Sequence, residues 1–172
     1  MTKGTVLTDS AIRTLLRRTP PLLEGLADAK TQVQSCGVDL TVGSLSRYAS
    51  DGAIDFDNSR RVLSRTEPAE WVEGEAVLPA GGYHIVYNEK VNLPADIMAL
   101  AYPRSSLLRC GATVHTAVWD PGYSGRGEAL LVVHNPLGIR IARDARIAQL
   151  VFFQLDGDVE HSYRGRFHGE HG

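Results

Sequence analysis

Apolar positions recur at helical spacing once near the start of the chain, where Ile12, Leu15 and Leu16 follow Thr8 and Asp9 and precede Pro20-Pro21. A small polar cap ahead of the periodic run and a proline pair behind it predict a helix over residues 7–18. Beyond Thr31 the pattern changes. Short apolar runs alternate with Gly, Pro, Asn and Asp turns and predict strands at 82–88, 97–102, 112–119, 128–134, 139–143 and 147–155. Residues 66–72 predict a short helical turn. One helix followed by a string of short strands argues for an all-β barrel or jelly roll, with residues 1–172 forming a single domain. No repeat, low-complexity tract or linker interrupts it. The segment 156–172 stands apart, with four Gly, three His and almost no aliphatic side chains. That composition predicts a tail that moves in the free protein.

At 172 residues the chain is long enough for one proper core and short for two. A hydrophobic content of 43% and a mean hydropathy of −0.14 describe an ordinary soluble globular protein. No apolar run reaches membrane-spanning length, and the start of the chain is charged where a signal peptide needs an apolar stretch. Two cysteines without CxxC spacing, Cys36 and Cys110, fit a reducing, cytoplasmic setting and are expected as small buried residues. A net charge of −2 argues against nonspecific nucleic-acid binding. Fifteen of the eighteen basic residues are Arg, including all eight from Pro103 onward. Arginine's planar fork suits phosphate, although a GC-rich genome produces the same bias.

Within this pattern the richest chemistry lies in Arg104-Ser105-Ser106, followed sixteen positions after the arginine by Asp120. A guanidinium and two hydroxyls on one turn offer donors matched to phosphate oxygens. The apolar segment from Ala112 delivers the carboxylate into a turn-forming run, Asp120-Pro121-Gly122-Tyr123-Ser124-Gly125. Phosphate-holding donors beside a lone carboxylate point to hydrolysis of a phosphate ester or anhydride. The same residues also suit ordinary loops, and Asp-Pro-Gly favours turns for local reasons. His168 and His171 have ligand-like spacing but no Cys or acid at a fixed distance, so zinc is not expected. No Walker-type Gly-Lys-Ser/Thr occurs.

Five stretches, in order, extend the picture: Gly37-Val38-Asp39-Leu40, Pro103-Arg104-Ser105-Ser106-Leu107-Leu108-Arg109, Ala117-Val118-Trp119-Asp120-Pro121-Gly122-Tyr123, Arg146-Ile147-Ala148-Gln149-Leu150 and Tyr163-Arg164-Gly165-Arg166-Phe167-His168-Gly169-Glu170. Together they resemble the dUTPase and dCTP deaminase superfamily, in particular its archaeal-type dUTPase branch, from about Leu7 to the C-terminus. The resemblance implies a distorted jelly roll (β-clip) that assembles as a homotrimer, with active sites built from more than one subunit. It implies that Asp120 is the general base for the water attacking the α-phosphorus of dUTP and that Arg104, Ser105, Ser106 and Gln149 hold the triphosphate. Main-chain groups of His115, Thr116, Ala117 and Val118 would read the uracil edge, and Tyr123 would pack beneath deoxyribose. Asp39 would support a water and metal network. In the tail, Arg166 would meet the γ-phosphate and Phe167 would stack on the base as the segment closes over the site. Mg²⁺ would be held through the triphosphate and water, with no direct protein ligand. Neither a nucleic-acid nor a membrane partner is implied.

Two departures keep a second reading open. dUTPases usually place Gly after the first Ser, whereas Ser106 and Arg109 match deaminase positions. Against this, the deaminase's proton-shuttling glutamate falls at Leu130 or Val132, neither of which can carry a proton. Glu128 aligns instead with the Arg-Gly-Glu common in dUTPases. The expected reaction is therefore dUTP to dUMP and pyrophosphate. The alternatives are a dCTP deaminase, mono- or bifunctional, and a non-catalytic dUTP-binding regulatory protein.

Overall fold

The structure is a computed structural model that describes residues 5–160 together with Tyr163, Gly165, Phe167, Gly169 and His171. In chain order the elements are β1 (Thr5–Val6), α1 (Asp9–Leu15), β2 (Leu23–Glu24), α2 (Ala29–Gln32), β3 (Val33–Gln34), β4 (Gly37–Tyr48), β5 (Thr66–Pro68), β6 (Glu75–Leu78), β7 (Gly81–Asn92), β8 (Ile97–Pro103), α3 (Ser105–Arg109), β9 (Ala112–His115), β10 (Ser124–Val133), β11 (Ile139–Ala142) and β12 (Arg146–Gln154). The architecture is all-β, as the alternation of short apolar runs predicts. Among the described residues ten strands form one curled antiparallel sheet: six follow the path β1-β12-β4-β7-β10-β9, β2 pairs with β7, β3 and β5 with β4, and β8 with β12, while β6 pairs with β11 separately.

β4 makes the curl. Its first half pairs with β12 and its second half with β7, and the register slips between Val42 and Ser44. Gly43 sits at that slip. A Cβ there would lie 2.8 Å from Asn88 Oδ1 and 3.1 Å from Val86 O, so only glycine lets the strands approach this closely. Leu40, Leu45, Ile85, Leu131, Leu150 and Phe152 fill the interior at no more than 2% exposure. A second irregularity lies between β7 and β10, where Arg126 faces Lys90 but Glu128 faces Val86. Three residues of β7 thus oppose Gly127 alone. Glu89, in this bulge, is fully buried and accepts bonds from Gln32 Nε2 (2.7 Å), Thr41 Oγ1 (2.7 Å) and the Thr41 amide (2.9 Å). Burial pushes its carboxyl above the ordinary range.

Several local expectations change. The helix is shorter than 7–18, because Thr8 accepts a bond from the Ala11 amide as N-cap and Leu7 donates to Phe152 as an extension of β1. At its other end the amides of Arg17 and Arg18 turn to carbonyls three residues back, a tightening typical of a helix end before prolines. Residues 66–72 form no helical turn. Thr66–Pro68 pairs with β4, and Ala69 donates to Leu45 O, so sheet pairing overrides a weak local preference. The strand expected over 112–119 stops at His115, and the chain rejoins the sheet only at Trp119, which exchanges two 3.0 Å bonds with Ala99. Both cysteines are exposed rather than buried. Cys36 lies on the short turn between β3 and β4, and Cys110 directly follows α3.

Candidate active site

The bowed segment between His115 and Trp119 and the turn that follows it wall a cavity of about 300 Å³. Ala117, Val118, Trp119, Asp120 and Tyr123 line one side, and Gly127 and Glu128 of β10 line another. Tyr163 and Phe167 of the tail complete it. Local bonds explain the shape. The Tyr123 amide donates to Asp120 O (3.1 Å), closing the Asp-Pro-Gly-Tyr turn, and Gly122 takes the left-handed backbone (φ 83°) that such a turn demands of glycine. Trp119 lies flat on Gly127, where a Cβ would come within 2.6 Å of the indole. The tryptophan is thereby held as a buried wall of the cavity. Tyr123 is 7% exposed and its ring stands 5.7 Å from that of Tyr163.

Asp120 is exposed to solvent within this wall, where a carboxylate can meet both a bound ligand and water. Glu128 differs. His84 Nε2 lies 2.9 Å from its Oε2 and His171 Nε2 lies 2.6 Å from its Oε1. The His84 bond, with help from His171, outweighs burial and holds the carboxyl down to about 2. An acid fixed in its ionised form cannot shuttle protons near neutral pH.

A second cluster gathers elsewhere on the chain. Arg104 occupies the N-cap position of α3 without a side-chain capping bond, and its Nε meets Asp39 Oδ2 at 3.0 Å. Arg146 Nη1 meets the same oxygen at 3.2 Å. Burial raises the Asp39 carboxyl, and the two guanidiniums oppose that rise. Two cations sharing one buried acceptor favour its ionised form and leave a net positive charge. Gln149 sits opposite Asp39 in the β12–β4 register. Gly37 admits it: a Cβ at Gly37 would stand 2.6 Å from Leu150 O and 3.0 Å from Gln149 Nε2. Ser105 and Ser106 are exposed on the first turn of α3, and Arg109 reaches back to Ser105 Oγ at 3.4 Å.

The structure thus distributes the sequence-derived residues over more than one place. Asp120, Ala117, Val118, Tyr123, Glu128 and Phe167 share the cavity. Arg104, Ser105, Ser106, Arg109, Gln149 and Asp39 do not line it. His115 and Thr116 border a neighbouring groove with residues 100–103. Arg166 lies outside the described residues. Asp39 is 1% exposed, and its Oδ2 meets both Arg104 and Arg146. Among the described residues no group of three His, Cys, Asp or Glu side chains is arranged to hold a metal ion. Sequence reasoning overlooked Trp119, Tyr163, Arg146 and His84 as contributors. Trp119, Arg146 and Tyr163 were visible in recognised motifs, whereas nothing near His84 in sequence marks it.

Comparison with known proteins identifies the family. Residues 6–155 match the dCTP deaminase-like family. The chain is 45% identical to a probable deoxyuridine 5′-triphosphate nucleotidohydrolase of Methanosarcina mazei, over 96% of this chain and 97% of that protein. It is 47% identical to a protein of the same description from Archaeoglobus fulgidus, covering 96% of each. Among solved structures, 2′-deoxycytidine 5′-triphosphate deaminase from Agrobacterium tumefaciens superposes with a TM-score of 0.65 at 26% identity, over 88% of this chain and 48% of that one. The chain belongs to the dCTP deaminase-like family, alongside the archaeal deoxyuridine triphosphate nucleotidohydrolases.

Proposed function

We propose that this protein hydrolyses dUTP to dUMP and pyrophosphate. The observation that carries the reading is the placement of Asp120 in the wall of an aromatic cavity closed by Phe167, a place where a base can stack while a carboxylate reaches water. Asp120 draws the proton from a water in line with the α-phosphorus. Tyr123 lies beneath the sugar, and the main chain of residues 115–118 pairs with the uracil edge. Arg104, Ser105, Ser106 and Gln149 take the phosphate charge, with Arg104 aimed by Asp39. Arg166 completes this set at the γ-phosphate.

The donors present fit a cation carried in by the substrate better than a protein cage, since Asp39 already serves two arginines. Mg²⁺ bound through the triphosphate neutralises charge on the phosphates. The chain's own residues bind, orient and deprotonate.

Separation of the two clusters supports a site completed by a second copy, in a homotrimer of single-domain, distorted jelly-roll subunits. Tyr102, Leu108 and Val118 are 58%, 52% and 51% exposed; Tyr102 and Leu108 lie on either side of Arg104 in sequence, and Val118 lines the cavity. Large apolar side chains so placed suit an interface between copies. No helix among the described residues is long and apolar enough to cross a membrane, and we infer a cytoplasmic enzyme of nucleotide metabolism.

Deamination of dCTP is disfavoured by Leu130 and Val132 at the acid's place, and the bonds from His84 and His171 hold the Glu128 carboxyl low. A pyrophosphate-release assay with dUTP, dCTP, dTTP and UTP, with and without Mg²⁺, tests the proposal. Selective release from dUTP is expected. Ammonia from dCTP would favour the deaminase, and binding of dUTP without turnover would favour a regulatory protein.

A further inference from the structure

Glu128 has no part in the hydrolysis proposed above, yet both of its oxygens are engaged. One partner, His84, comes from β7, where Tyr48 of β4 stands edge-on to its ring at 6.3 Å. The other, His171, comes from the tail. Arg126, two residues before Glu128, donates to the His171 carbonyl, and its Nε donates to Asn88 O at 3.1 Å. Nearby, the Gly169 amide donates to Ser124 O at 2.7 Å. Upstream, the Tyr163 amide donates to Pro121 O at 2.8 Å. The tail is therefore fastened on both sides of Phe167, at the turn after Asp120 and at the start and middle of β10. Phe167 faces the cavity between these fastenings, with the Arg61 guanidinium 5.7 Å from its ring.

We propose that Glu128, steadied by His84, is a socket that receives the C-terminal tail through His171 and so holds Phe167 over the nucleotide. Glu128 is then a positioning residue that acts through the tail. A mobile segment that must close over ligand loses affinity by the fraction of time it stands open. A preformed clasp removes that loss. Charge favours the arrangement: Glu128 is the acid, while His84, His171 and Arg126 supply donors, and among the described residues the Tyr48 hydroxyl also lies within its electrostatic reach. The carboxylate stays ionised throughout the neutral range, so the socket is always ready to accept. This inference rests on the nucleotide reading only for what the tail covers. The docking itself is independent of it.

The test uses the full-length protein without nucleotide, following amide hydrogen exchange at Tyr163 and Gly169 in wild type, Glu128→Gln, His171→Gln and the double variant. Each single change is expected to speed exchange at Gly169 by about tenfold or more, and the double by no more than either. With dUTP as substrate, each is expected to raise KM about tenfold with a smaller fall in kcat. Glu128→Asp restores part of the protection. Exchange at Leu131, in the core of β10, should stay unchanged and so exclude unfolding of the strand. Unaltered Gly169 exchange in Glu128→Gln, or additive effects in the double variant, would overturn the proposal. Absence of dUTP turnover by wild type would instead overturn the hydrolase reading and leave the exchange result standing.

Discussion

The aromatic cavity and the Arg104 cluster are built in opposite ways. The cavity comes mainly from one stretch, residues 117–128, shaped by short-range turns and roofed by the tail. The Arg104 cluster draws on strands far apart in sequence, with Asp39 from β4, Arg146 and Gln149 from β12 and Arg104 at the end of β8. One is apolar with a carboxylate at its edge. The other is cationic around a buried carboxylate. A deoxynucleoside triphosphate has the same division, a flat base and sugar joined to a polyanion, and neither region alone could serve it. On the proposed reading, the difference teaches that binding the two ends of one ligand can be solved as two structural problems, each at its own place in the fold.

Changes in one region should therefore leave the other's contribution intact. Asp120→Asn is expected to lower kcat for dUTP by at least roughly 10²-fold while dUTP binding is retained, measured by turnover and by calorimetry with a nonhydrolysable analogue. Full activity in that variant would remove the base assignment. Asp39→Asn acts on the other region, leaving Arg104 and Arg146 without their shared counter-ion. It should raise KM about tenfold through weaker phosphate binding, with little change in affinity for the nucleoside alone. Equal losses for nucleoside and triphosphate would break the division of labour.

Smaller effects sharpen it. Gly127→Ala should cost about 1–3 kcal/mol in chemical denaturation, because the new methyl meets the Trp119 ring and something must shift. The smallest effect concerns acid. Glu128 is held down to about 2 against an ordinary 4.5, so its contribution is fully present above pH 4.5 and is lost as pH falls toward 2. Tail docking, read by Gly169 exchange, should weaken in that acid window without any inflection from Glu128 between pH 5 and 8.

Much of this was legible in sequence where the determinants are contiguous. The Asp120 turn needs only Pro121, Gly122 and Tyr123, and it folds as read. Strands β8, β11 and β12 were located within a residue or two, because each is an apolar run bounded by turn residues. The strand Gly37–Tyr48 was not anticipated. Its first six residues are all buried, so the expected alternation is absent there. β6 is only Glu75–Leu78 and depends on β11 for its identity. The two-fold engagement of Glu128 was equally hidden, because 44 and 43 positions separate it from His84 and His171. Asp39 was noticed, but its commitment to two arginines is decided by register between β4 and β12, which no local pattern reveals. The exposed cysteines show that scarcity in the sequence does not fix burial.

The seat of Trp119 on Gly127 has an evolutionary consequence. A single residue without a side chain makes room for the largest one, so neither position is free to vary alone. Shrinking the indole would leave a void beside a bare backbone, and enlarging the glycine would evict the indole. Relatives with a smaller residue at the first position should carry a bulkier one at the second, and a reciprocal pair of exchanges should be tolerated where each exchange by itself is not.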